Sequence, residues 1–305
     1  MDHIPVMLSE VCSLLRLESG KRCLDMTVGL AGHSAAILKA IAPSGFLLGL
    51  DRDTETLPLA YENLKAVGGN FTLRHSDYAK VRDVCAELGL DSFDAILCDC
   101  GISSKQLDDP ERGFGFEKEC PLDMRMDRNE LFKASDLLNT CPENELADIF
   151  HRFGDERFSR PIARAIAAKR KLKPFESSEE LAALVSGVYY RFGFRRSKVH
   201  PATRVFQALR IAVNHELTSL EEGLKGAAEL LAPEGRLVVI SFHSGEDRIV
   251  KNLFREFKRA ELGSIITKKP LTPGEEEIKE NPRSRSALLR VFEKAPIKGE
   301  KTCLE

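Results

Sequence analysis

The sequence predicts an α/β fold, a doubly wound sheet interrupted by a helical insertion, and three observations carry that prediction. Short apolar runs alternate with amphipathic stretches through the first part of the chain. After Asp99 the alternation stops, and helical patterns punctuated by glycine, proline and arginine take over. It then returns from Thr203 onward. Strands alternating with helices at this spacing imply βαβ units and a parallel sheet.

Arg22–Thr27 reads as a strand, His33–Ile41 as a helix, Phe46–Asp51 as a strand and Thr54–Ala66 as a helix. Phe71–His75 is a strand, Val81–Leu88 a helix and Phe93–Asp99 a strand. The near-continuous apolar runs in Phe46–Asp51 and Phe93–Asp99 fit strands covered on both faces. From Asp108 to Lys198 no strand is expected, and helical patterns cover Ala134–Leu138, Glu143–Phe150, Arg160–Arg170 and Ser178–Tyr190. Thr203–Leu220 reads as one amphipathic helix, with Phe206, Leu209, Val213, Leu217 and Leu220 on one face. Another helix through Leu231, the strand Arg236–Phe242, a helix over Glu246–Lys258 and strand-like runs near Ile265 and at Leu288–Phe292 complete the chain. The expected partition is one domain from residues 1–107 and 203–305, with the insertion at 108–202.

Composition narrows the class. A hydrophobic fraction of 43% with 30% charged residues is ordinary globular composition. No apolar run approaches the roughly 20 residues a membrane helix needs, and the first residues lack a basic segment followed by an apolar one, so no secretory signal is read. The expectation is a soluble, cytoplasmic protein. The eight cysteines form no C-x-x-C pair, which speaks against a zinc ribbon or a thioredoxin-like site, and no metal is expected. Cys98 and Cys100 are expected on opposite sides of their strand. The net charge of −2 conceals an asymmetry: His151–Arg210, which includes Arg195 and Arg196, carries 14 Lys/Arg and a balance of +9, leaving −11 elsewhere. A basic block on an acidic body is the footprint of phosphate contact, or else a solvated helix surface.

The chemistry-bearing residues gather at strand ends. The first strand runs into a turn, Asp25 to Ser34, whose glycines Gly29 and Gly32 let backbone approach a ligand. Ala31 and Ser34 break the dinucleotide pattern G-x-G-x-x-G. Asp51 ends the second strand, about 20 residues on, where a carboxylate can accept the hydroxyls of a ribose. Asp77-Tyr78 follows the third strand and offers an aromatic ring to an adenine face. Asp99 and the Gly101 turn end the fourth. Each residue alone is as readily structural, but together they favour an adenosine-containing cofactor. The missing dinucleotide fingerprint favours S-adenosylmethionine over a nicotinamide.

These strings resemble the bacterial small-subunit ribosomal RNA methyltransferases that modify the N4 amine of a decoding-centre cytidine. The resemblance runs from His3 to about Glu293. It is carried by His3-x-Pro5-Val6, by Asp25-x-Thr27-x-Gly29-x-x-Gly32-His33-Ser34, by Asp51-Arg52-Asp53 and by Asp99-x-Gly101-Ile102-Ser103-Ser104-x-Gln106-Leu107-Asp108-Asp109. Arg112-Gly113-Phe114-x-Phe116, Pro121–Asp127, His200–Arg204 and Phe206–Asn214 continue it. Ile240–Ser244 with Glu246-Asp247-Arg248, and Asn281-Pro282-Arg283-x-Arg285-Ser286, complete it.

The resemblance implies a Rossmann-like class I methyltransferase sheet with an inserted helical domain. Ala31, Gly32 and His33 would cradle the methionine end of S-adenosylmethionine, Asp51 would hold the ribose and Tyr78 the adenine, with Asp99 and Gln106 completing the site. Asp99 is the expected catalytic acceptor for the amine. The partner implied is 16S ribosomal RNA, within a small subunit or its precursor, with the insertion facing the RNA. Ala31 replaces a family glycine, Tyr78 a phenylalanine, Lys105 a proline and Gly245 a leucine. Pro121–Asp127 also fits a turn with a buried methionine pair. His200 reads as a cap, and His33 and His243 as backbone-satisfying residues or as bases. On the helix from Thr203, only Arg204, Gln207 or Asn214 could face a substrate. Two other readings stay open: a DNA amino-methyltransferase, and a non-catalytic RNA-binding module on the same fold.

Overall fold

The computed structural model describes residues 4–116, 120–194 and 200–297. In chain order the elements are α1 (Leu8–Leu14), β1 (Arg22–Asp25), α2 (Gly32–Ile41), β2 (Phe46–Asp51), α3 (Leu57–Val67), β3 (Asn70–His75), α4 (Val81–Glu87) and β4 (Phe93–Asp99). Then come α5 (Ser104–Asp108), α6 (Ala134–Thr140), α7 (Glu143–Gly154), α8 (Ser159–Lys169), α9 (Ser178–Arg191), α10 (Thr203–Val213) and α11 (Glu216–Leu230). The chain closes with β5 (Leu231–Ser241), α12 (Ser244–Arg259), β6 (Gly263–Ile265), α13 (Glu275–Glu280) and β7 (Leu288–Lys294).

The strands form one sheet of order β3-β2-β1-β4-β5-β7-β6. The first five are parallel, as the alternation predicts, whereas β7 pairs antiparallel with both β5 and β6. Strand order reverses between β1 and β4, the switch point at which Rossmann-like sheets take their ligands. Successive strand residues feed opposite faces, and both faces are buried. Leu24, Leu48, Ile96 and Val239 join one core, while Cys23, Leu47, Leu97 and Ile240 join the other. That two-sided burial is why these strands read as unbroken apolar runs.

The chain divides into a sheet-bearing unit, Met1–Gly101 with Leu217–Glu305, and a helical unit, Ile102–Glu216. The division lies outside the expected bounds at 107/108 and 202/203, because α10 packs in the helical core. Val205, Phe206 and Leu209 share a cluster there with Leu146, Phe150 and Ile162. The single helix expected over Thr203–Leu220 is two helices. They break at His215, whose φ is 52°, and the break is bracketed by paired hydrogen bonds of 2.8 Å from Arg210 to the Glu216 carboxylate. Arg195, Arg196 and Lys198 of the basic block lie outside the described residues, as does His3.

Candidate active site at the carboxyl edge of the sheet

The turn after β1 is organised by a buried carboxylate. Asp25 accepts hydrogen bonds from the Ser34 hydroxyl at 2.6 Å and the Thr27 amide at 3.0 Å. Burial raises the Asp25 pKa, and these donors oppose the rise. The Thr27 hydroxyl oxygen accepts from the Asp99 amide at 2.7 Å, which fixes the end of β4 against the end of β1. Ala31 caps α2 in the left-handed region, with φ 67°. Gly32 follows, and a Cβ there would lie 2.4 Å from Pro5 Cγ. His33 is buried, with Nε2 2.9 Å from the Val6 carbonyl oxygen. Since that oxygen can only accept, Nε2 carries a proton. The segment Pro5-Val6 therefore lies directly over the turn.

Asp51, at the end of β2, accepts from the Gly29 amide at 2.7 Å on one oxygen and the Asp53 amide at 2.8 Å on the other. Burial outweighs these two donors and pushes its pKa up to about 6. After β3, Asp77 caps a short 3₁₀ turn, Tyr78–Lys80, through the Ala79 amide at 2.8 Å. Its other oxygen accepts from the Ser219 hydroxyl at 2.9 Å and lies 3.5 Å from Arg52 Nη2. Tyr78 rests on the backbone of α11, where a Cβ on Gly223 would lie 2.7 Å from its Cδ2.

Asp99 closes the group. Its side chain is 22% exposed, and Oδ2 lies 3.6 Å from His33 Nδ1. Oδ1 is buried and has no hydrogen-bond partner among the described residues. Burial is the main reason its pKa is pushed up to about 7. The His33 ring opposes that rise, and the carboxylates of Asp25 and Glu246 add to it. Gly101 follows with φ 113°, and a Cβ there would stand 3.3 Å from the Phe242 ring.

Six of the seven expected site residues, Ala31, Gly32, His33, Asp51, Tyr78 and Asp99, thus fall at consecutive strand ends on one edge of the sheet. Gln106 belongs to the helical unit. There its amide group accepts from the Ser103 backbone at 3.0 Å and closes a capping box at the start of α5. The edge fits an adenosyl amino-acid cofactor. Each Asp51 oxygen uses one lone pair, leaving acceptor capacity for ribose hydroxyls. The buried Asp99 Oδ1 lacks the donor that a ligand N–H would supply, since a buried polar atom is costly unpaired.

Other expectations resolve into structural roles. His243 caps α12, its Nδ1 accepting from the Gly245 and Glu246 amides, and His200 Nδ1 accepts from the Ala202 amide at 3.2 Å. Met124 and Met126 are the buried pair of their turn. Asn214 is buried rather than facing a substrate: its side chain accepts from the Met126 amide and donates to the Met124 carbonyl, both at 2.7 Å. Cys98 and Cys100 lie together, sulfurs 3.9 Å apart, not on opposite sides. Residues two apart on a strand share a face. Sequence reasoning placed Asp25 and Val6 in motifs but gave neither a role. An Asp-x-Thr string at a strand end, a recognised local hydrogen-bonding pattern, signals the first, whereas no local pattern reveals that Val6 meets His33.

Comparison with known proteins follows the same lines. The chain is 47% identical over 309 residues to the ribosomal RNA small subunit methyltransferase H of Carboxydothermus hydrogenoformans and 45% identical over 307 residues to that of Citrifermentans bemidjiense; each match covers 96% of this chain and 98% of the relative. Among solved structures, an rRNA methylase from Streptococcus thermophilus aligns at 10% identity and a TM-score of 0.44, covering 94% of this chain and 92% of its own. The model of the MraW methylase family matches residues 1–295, and the chain belongs to that family.

Proposed function

We propose that the protein is an S-adenosylmethionine-dependent methyltransferase that modifies the exocyclic N4 amine of a cytidine in 16S ribosomal RNA. It acts in the cytoplasm, on a small ribosomal subunit or its precursor. The observation that carries this reading is the Asp99 carboxylate, held at the end of β4 with Oδ1 buried and without a donor among the described residues. When bound, S-adenosylmethionine supplies an electrophilic methyl group on a sulfonium. The exocyclic amine of cytosine is a poor nucleophile because its lone pair is delocalised into the ring. Asp99 accepts an N–H of that amine and so favours a pyramidal nitrogen with a localised lone pair. Asp51 receives the ribose hydroxyls, Tyr78 covers the adenine, and the Ala31–His33 turn holds the methionine end. Gln106 keeps its place in the cofactor site through the family resemblance alone.

An RNA substrate is supported by the relatives' names, each of which specifies ribosomal RNA. It is also supported by the helical unit, to which the basic block belongs. Tyr190, Phe192 and Phe194 are exposed there at 62%, 53% and 41%. The Arg157 guanidinium sits 3.8 Å from the centre of the Phe194 ring. Aromatic faces backed by arginine suit unstacked bases, and a target base must leave its stack to be modified. The relatives' names do not favour a DNA substrate, and a non-catalytic binder has no use for both Asp51 and Asp99. Among the described residues no helix is long and apolar enough to cross a membrane. Mass spectrometry of ribosomal RNA nucleosides, from cells with and without the gene, tests the reading. N4-methylated cytidine should fall in small-subunit RNA when the gene is removed and return with it. An unchanged nucleoside profile contradicts the assignment.

A further inference from the structure

Two motifs remain without a role in the account of methyl transfer: Ser241-Phe242-His243-Ser244 with Glu246-Asp247-Arg248, and Asn281-Pro282-Arg283-x-Arg285-Ser286. The fold brings them to one place. A cavity of about 470 Å³ is lined by Phe242, Ser244, Arg248 and Lys251 from the β5–α12 junction, and by Thr272 and Arg285 from the segment before β7. Asp247 is the one carboxylate of its lining, and the Arg290 guanidinium takes it up with contacts of 2.6 and 3.1 Å. Arg248, Lys251 and Arg285 have no carboxylate within ion-pair distance among the described residues. Three uncompensated cations around one cavity stand out, because outside His151–Arg210 the chain carries a charge of −11. The amino end of the 16-residue helix α12 opens onto the same cavity and adds its partial positive charge.

We propose that this cavity binds a backbone phosphate of the RNA next to the target nucleotide. The inference rests on the reading of the protein as an RNA methyltransferase and extends it to a second contact surface, on the sheet-bearing unit. Sheet order carries the argument. Asp51 and Tyr78 follow β2 and β3, on one side of Asp99, whereas the cavity begins on β5, on the other side. Asp99 pairs with Ile240 of β5, and the Phe242 ring that lines the cavity lies against Gly101. A base amine at Asp99 therefore has the cofactor half of the edge on one flank and a cationic cavity on the other. A nucleotide needs that arrangement, with its base at the acceptor and its phosphate held apart from the cofactor.

The test uses the full-length chain and a transcript of small-subunit ribosomal RNA. Arg248→Glu combined with Arg285→Glu should weaken RNA binding at least tenfold at low salt. It should also flatten the dependence of log affinity on log salt by about 0.7, the contribution of one phosphate contact on a single strand. S-adenosylmethionine affinity should not change, which establishes that the double variant is folded, and Arg285→Lys should keep most of the RNA affinity. If the double variant binds RNA with wild-type affinity and slope, the cavity is not a phosphate site, and the methyltransferase reading stands. If the wild-type protein neither binds nor methylates the transcript or a small subunit carrying the unmodified RNA, that reading fails and the inference falls with it.

Discussion

His33 Nδ1 stands 3.6 Å from Asp99 Oδ2, while Nε2 of the same ring is committed to the Val6 carbonyl 2.9 Å away. With Nε2 protonated, a neutral ring would turn the Nδ1 lone pair toward a carboxylate. The ring therefore bears on the charge of the acid, and its attraction for the carboxylate opposes the rise that burial imposes on Asp99. The state able to accept from an amine is the one with Asp99 ionised.

With Asp99 as the proposed acceptor, its ionisation sets the expected pH dependence of turnover. Burial pushes the Asp99 pKa up to about 7, against the pull of His33. Raising pH through that value ionises Asp99, so single-turnover rate should rise across pH 6 to 8, the range around that pKa, and then level. His33→Gln removes the opposing attraction, and the rise should move to higher pH. A pH–rate profile that His33→Gln leaves in place would assign the inflection to another group.

If Asp51 holds the ribose as proposed, it should set cofactor affinity at lower pH. Hydroxyl donors prefer the ionised carboxylate, and burial holds its pKa up at about 6. S-adenosylmethionine affinity should be flat above that value and be lost as pH falls through it. Each hydrogen bond to a charged group contributes about 1.5–3 kcal/mol, so Asp51→Ala should weaken binding at least tenfold and abolish the acid limb. Calorimetric titration at several pH values reads both effects, and an unchanged affinity removes Asp51 from the site.

Ala31 and Gly32 make opposite stability predictions at adjacent positions. Left-handed φ costs Ala31 about 1–2 kcal/mol. Ala31→Gly relieves that cost but restores unfolded-chain freedom worth about 0.5–1 kcal/mol and removes a buried methyl worth about 0.8 kcal/mol. The three effects nearly cancel, so stability should stay within about 0.5 kcal/mol of the parent. Gly32→Ala instead drives a methyl into Pro5 and should cost about 1–3 kcal/mol, the scale of overpacking. Denaturant unfolding of the two variants should rank them in that order, and the reverse order contradicts this account of the turn.

What the sequence made legible follows the range of each interaction. β2 and β4 match their expected bounds, Phe46–Asp51 and Phe93–Asp99, because a strand buried on both faces announces itself locally and stops at a carboxylate. The break at Asn214–His215 was not legible. Leu217 and Leu220 continue the apolar period of α10, and what holds Asn214 is backbone at Met124 and Met126, far upstream. The domain bounds shifted for the same reason, since periodicity shows that α10 has an apolar face but not which core it meets. The places of Asp51 and Asp99 at strand ends were legible. The approach of His33 to Asp99 was not, because it depends on Val6 holding the His33 ring from elsewhere in the chain. The cationic cavity was equally hidden, since Arg248 and Arg285 are well separated in sequence and meet only through α12 and the segment preceding β7.

The most direct test of the central claim is the single-turnover rate of Asp99→Asn at saturating cofactor and RNA. Asparagine keeps the size and the place at the end of β4, but it offers a weaker, neutral acceptor and can turn an N–H toward the amine. Saturation separates turnover from any loss of cofactor binding, and an acceptor that acts as the nitrogen pyramidalises should lower chiefly the rate. The account predicts a fall of roughly 10²-fold or more, the scale of removing one well-placed electrostatic group. Methylation by Asp99→Asn at the wild-type rate under those conditions would contradict it.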